Sequence, residues 1–177
     1  MPESRYLNAI EDVIKGIAPD KQVEVTESIG PGFACLVLKP SASSHGMIIG
    51  KKGATFKAIR GLYQVIAANV HELGPDAVTV NVIQPDSSER HRHGFTPDPE
   101  FTEKRIVSAV GEFSKWLFPF CPSVKASPIS PEMAHVIIEG RPKDNIDPGQ
   151  LAQDLKRVFE AFGMSMGRKI MLTYSPK

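Results

Sequence analysis

Two helical segments of this 177-residue chain can be laid on one another. With Gly149 set on Gly53, Leu151 falls on Thr55, Leu155 on Ile59, Val158 on Leu62, Phe159 on Tyr63 and Phe162 on Ile66. Both runs keep the spacing of an amphipathic helix that buries one face. Five core-type positions in register point to a duplicated unit, so the fold must be one that a chain of this length can build twice.

The first unit opens with Tyr6, Leu7, Ile10, Val13, Ile14 and Ile17 at helical spacing between Pro2 and Pro19. A hairpin is expected next, from alternating residues 22–28, a turn over 29–32 and the apolar run Phe33 to Pro40. A short helix from Ser43 to Ile49, capped by Ser43 or Ser44, leads to a longer helix after Gly53. That helix carries Phe56, Ile59, Leu62, Tyr63, Ile66 and Val70 and ends at Glu72 to Asp76; residues 77–83 then alternate as a strand, and Pro85 closes the unit.

Residues 86–100 are polar, contain prolines and show no period, which reads as a linker. After it the same order returns: a helix with Ile106, Val107, Val110, Phe113, Trp116 and Leu117, strands near 124–129 and 134–139, a helix over 148–162 and a strand over 168–174. The expected architecture is α/β (α+β), with lobes at 1–85 and 101–177. Each lobe runs α-β-β-α-α-β or a shortened version of it, with a three-stranded sheet and helices on one face.

The second copy differs at the start of its long helix, where Ile146-Asp147-Pro148-Gly149 replaces Gly50-Lys51-Lys52-Gly53. The interval from Ile138 to Gly149 is four residues shorter than that from Leu38 to Gly53. Four residues make about one helical turn, so the short helix is expected to be reduced or missing there.

Formal net charge is only +1, with 8 Lys+Arg against 8 Asp+Glu up to Pro85 and 13 against 12 beyond it. A globally basic nucleic-acid binder is not indicated. From Ser41 to His71, however, Lys51, Lys52, Lys57 and Arg60 stand without a single Asp or Glu. A Gly-x-x-Gly turn lets a backbone approach another chain closely, and the amides and dipole at the start of the next helix suit phosphate oxygens. Lys51 and Lys52 add charge at that edge, and Lys57 and Arg60 carry it down the helix. Ile48, Ile49 and Ile59 are candidates either for the floor of a groove that receives bases or for plain core.

The stretch Ile48-Ile49, Gly50-Lys51-Lys52-Gly53 and Lys57-Ala58-Ile59-Arg60-Gly61-Leu62 resembles the core of a KH domain, in particular of the small bacterial KH-domain RNA-binding proteins. The resemblance covers residues 1–85 in order of elements and implies the type II arrangement of that fold. It implies binding of single-stranded RNA, with DNA as the alternative, by a loop that clamps about four nucleotides. Gly50, Gly53, Lys51, Lys52, Lys57 and Arg60 would form the clamp, and Ile49 and Ile59 the groove. The family's small proteins end near the position of Pro85, and the second half resembles a degenerate KH-like copy, to which the clamp cannot be carried. That half would pack on the first, mediate self-association or dock a protein partner, or widen the track through Arg141, Lys143, Lys156, Arg157, Arg168 and Lys169. A protein-interaction module on the same scaffold is the competing reading.

No enzymatic constellation emerges. Gly-Met-Ile-Ile-Gly-Lys-Lys-Gly lacks the Ser or Thr that follows the lysine of an NTPase loop. His91-Arg92-His93 sits in the linker, and Cys35 and Cys121 have no metal-ligand spacing, so both are expected to be reduced thiols. His45 is a weak phosphate candidate, and Trp116 with Phe113, Phe118 and Phe120 is either core or a stacking platform. No catalytic residue, metal or cofactor is expected. Without a leader or an apolar span, the chain reads as cytoplasmic.

Overall fold

The computed structural model describes residues 3–18, 22–86, 103–120, 122–130, 132–165 and 167–176. Tyr6, Ile10, Val13, Ile14 and Ile17 form one apolar stripe on helix α1 (Glu3–Ile17), and all five are buried. Strands β1 (Val23–Gly30) and β2 (Phe33–Pro40) pair antiparallel, with Val25 opposite Leu38. Pro31 and Gly32 join them; proline presets the first turn position and Gly32 takes φ 78° at the second, where a side chain would be strained.

Helix α2 (Ala42–Ile49) starts one residue earlier than the sequence suggests, because Ser41 is its cap, its hydroxyl accepting from the Ser44 amide. Helix α3 (Ala54–His71) returns the chain to β3 (Val78–Val82), which lies parallel to β2. Ala34, Leu36 and Leu38 of β2 face inward onto the helices. Glu24, Thr26, Lys39, Thr79 and Asn81 face water, the alternation of a sheet covered on one side.

The second half repeats this plan in α4 (Glu103–Leu117), β4 (Ser123–Ser130), β5 (Met133–Glu139), α5 (Pro148–Met164) and β6 (Lys169–Ser175). Strand orders are β1-β2-β3 and β4-β5-β6, with the first pair antiparallel and the second parallel in each sheet. No helix stands between β5 and α5, as the shorter interval requires. The ten positions matched between α3 and α5 are all buried, and Ile106, Val110, Phe113 and Leu117 take the places of Tyr6, Ile10, Val13 and Ile17.

The two helical layers face each other, α1 and α3 against α4 and α5, with the sheets outside. Buried side chains of both halves form one continuous core, and a void of about 10 Å³ is lined by Ile10, Ile14, Ile59 and Ile66 from the first half and Phe113 and Val158 from the second. Each such side chain contributes roughly 1.5–3 kcal/mol when removed from water, so neither half keeps its burial without the other. Among the described residues no helix is long and apolar enough to cross a membrane.

Candidate nucleic-acid interface

The Gly50–Gly53 loop is a tight corner between α2 and α3 built by backbone conformations that ordinary residues avoid. The Gly50 amide donates to Gly46 O at 2.8 Å and ends α2. Gly50 then takes φ 72° and ψ 175°, a region that only glycine enters readily. A Cβ on Gly50 would also stand 2.2 Å from Thr55 Oγ1 and 2.9 Å from the Thr55 amide nitrogen.

Lys52 follows in the left-handed region at φ 54° and ψ 29°, and Gly53 at φ 75° and ψ 14°. A left-handed lysine costs roughly 1 kcal/mol, and the surrounding turn holds it there. The Gly53 amide returns to Gly50 O at 3.1 Å, and the Ala54 amide to Lys51 O. Nothing in the side chains caps α3, so the positive end of its dipole is left to solvent.

Lys51, Lys52, Lys57 and Arg60 are exposed. Among the described residues none of them has an acidic partner. Lys57 and Arg60, three apart on α3, share one face of the helix. The loop, the helix start and four cations thus form one uncompensated positive edge.

Ile49 is half-buried beside the loop, whereas Ile48 is fully buried. Ile59 is only 5% exposed and lines the void between the halves, so it belongs to the shared core and not to the open surface by the loop. Phe113 and Phe118 are core, Phe120 is 68% exposed, and Trp116 is half-buried at the end of α4. His91 and His93, like Cys121, lie outside the described residues; Cys35 is a free thiol.

The second half carries the opposite chemistry at the equivalent corner. Asp147 caps α5, its Oδ1 accepting from the Gly149 amide at 2.9 Å, and Pro148 occupies the first helical position. The helix terminus that stands open in the first half is filled here by the chain's own carboxylate. Arg141 pairs with Asp144 at 3.5 Å and Lys156 with Glu160 at 3.9 Å, so part of the second half's basic set is already neutralised.

Two features escape the sequence patterns. Glu27, on the helix side of β1, accepts from both Tyr6 and Tyr63, and burial with the adjoining carboxylate pushes the Tyr63 hydroxyl far up from its ordinary pKa. Asp154 of α5 is 9% exposed and packs on Gly61 of α3, where a Cβ would meet its Oδ2 at 2.2 Å. Burial raises its pKa to about 6, against the opposing bond from Gln150 Nε2 at 3.0 Å. The available signal was an aspartate one turn after Leu151 on the apolar face of α5, together with a glycine in the interior of α3.

Comparison with protein-family models, with curated proteins and with solved structures gives no match.

Proposed function

We propose that the Gly50–Gly53 corner binds the phosphates of a single-stranded nucleic acid, RNA in the first instance, as the resemblance to KH domains implies. One observation carries this reading: α3 begins with no side-chain cap beside four cations that have no acidic partner among the described residues, while α5 begins under the carboxylate of Asp147. An open helix terminus with mobile ammonium groups suits phosphate, and one already occupied by a carboxylate does not. The reading gives no catalytic role to any residue.

Binding of short single-stranded RNA and DNA, followed by anisotropy over a salt series, tests it. If four cations each neutralise one phosphate, the log–log salt slope is about −2.8. Lys51→Asp with Lys52→Asp should weaken binding to every sequence and flatten the slope by about 1.4. Unchanged binding by that double variant, or no binding by the wild type, removes the proposal. A stable self-association or protein complex indifferent to oligonucleotide would support the protein-interaction reading instead.

A further inference from the structure

A cavity of about 210 Å³ lies between the middle of α3 and the first turns of α5, where Gly61 is about 12 Å along α3 from Gly53. Its volume is below the roughly 300–1,000 Å³ usual for drug-sized ligands, so it suits a short chain. Val65, Leu73, Ile146 and Leu151 give it apolar sides. The charged residues in its wall are Asp147 and Asp154, with no Lys, Arg or His among the described residues.

Asp154 is 9% exposed, and a charge so far withdrawn from water is ordinarily paired. It has no ion pair among the described residues. Its Oδ1 accepts from Gln150 Nε2 at 3.0 Å, whereas Oδ2 has no donor among the described residues and is not sealed from solvent. Oδ2 stands over Gly61, where a Cβ would come within 2.2 Å of it, so the glycine leaves that oxygen uncovered in the cavity wall. With its pKa raised by burial to about 6, the carboxyl group is ionised at pH 7.5.

The geometry selects among cations. A guanidinium is held best by two parallel bonds to both carboxylate oxygens, and Gln150 already occupies one of them. A primary ammonium is a compact charge that needs only one open oxygen, and its alkyl stem can lie along apolar surface. Gln64 uses its Nε2 on Pro75 O at 3.2 Å, which leaves its carbonyl oxygen as a further acceptor in the wall.

We propose that this cavity binds a primary alkylammonium group, with its charge on Asp154 Oδ2 and its stem against Val65, Leu73, Ile146 and Leu151. A free amine and the lysine side chain of a partner protein present the same chemistry. The site uses none of the loop residues and stands independently of the function proposed for them.

NMR titration of the isotope-labelled full chain at pH 7.5 and fixed ionic strength tests this. n-Butylammonium, equivalent to a lysine side chain without its backbone, should shift the amide signals of Gly61, Gln64 and Gln150 saturably. n-Butanol, the same chain without the charge, should bind at least about tenfold more weakly, a comparison that needs no variant. Asp154→Asn keeps an acceptor for Gln150 and removes the charge, and it should weaken n-butylammonium binding about tenfold while the rest of the spectrum stays folded. Lysine blocked at its α-amino and α-carboxyl groups distinguishes the sources: tighter binding than n-butylammonium identifies a protein side chain as the occupant, and weaker binding identifies a free amine. Absence of saturable shifts with both ammonium compounds overturns the proposal. So do equal affinities for n-butylammonium and n-butanol, equal affinities for n-butylammonium and n-propylguanidinium, or an n-butylammonium affinity that Asp154→Asn leaves intact.

Discussion

Asn69 of α3 donates its side-chain amide to the main-chain carbonyl of Trp116 near the end of α4, at 3.0 Å. The alignment that sets Gly149 on Gly53 also sets Ser165 on Asn69, and Ser165 donates to the carbonyl of Gly16 near the end of α1. Since α1 and α4 match from Glu3 on Glu103, Gly16 is the counterpart of Trp116. The two bonds are therefore the same bond made twice, once in each direction across the halves. That reciprocity is the mark of an isologous interface, here between two parts of one chain.

Because these bonds and the apolar core both cross between the halves, the chain should unfold as one unit. In urea, Asn69→Ala should lower stability by about 1–3 kcal/mol through the loss of two bonds at the end of α4, with a single transition and an unchanged m-value. A fragment ending at Asp86 should fail to fold cooperatively as a monomer, since the inward faces of α1 and α3 would lie open. A well-folded monomeric fragment would show instead that the halves are independent.

Asp154 makes stability depend on pH. Its folded pKa is raised from 3.8 to about 6, so between those values the folded chain holds more protons than the unfolded one. Stability from this group is then greatest below pH 3.8 and declines as pH rises through about 6, by up to roughly 3 kcal/mol at 1.36 kcal/mol per unit. Asp154→Asn keeps an acceptor for Gln150 without the charge. It should raise the melting temperature at neutral pH and flatten the profile between pH 4 and 6, and a profile identical to the wild type would refute the assignment.

The repeated order of elements was legible because burial imposes a period on each element, 3.6 in α3 and α5 and 2 in β2 and β5. The loss of a second α2 was legible for an equally simple reason, a chain interval too short to hold it. Ile59 was not, since its spacing is the same whether its face of α3 meets a bound base or a second helical layer. Periodicity tells which side of a helix is apolar and says nothing of what covers it. The Asn69 and Ser165 bonds were hidden for a related reason: a polar residue near a helix end looks solvated until the neighbouring helix is placed beside it.

The two glycines of the loop should fail in different ways. Gly50 combines a conformation almost closed to other residues with a Cβ position 2.2 Å from Thr55 Oγ1 and 2.7 Å from Thr55 Cβ. Gly50→Ala must therefore shift the first turn of α3 and should cost about 3 kcal/mol, seen as a lowered urea midpoint. Gly53 has nothing within 4 Å of a built Cβ, so Gly53→Ala meets only the left-handed backbone penalty, about 1–2 kcal/mol. Gly53→Asn should cost less again, because asparagine tolerates that region. Equal losses for Gly50→Ala and Gly53→Ala would mean that the contact with Thr55 does not hold the corner, and that backbone conformation alone sets it.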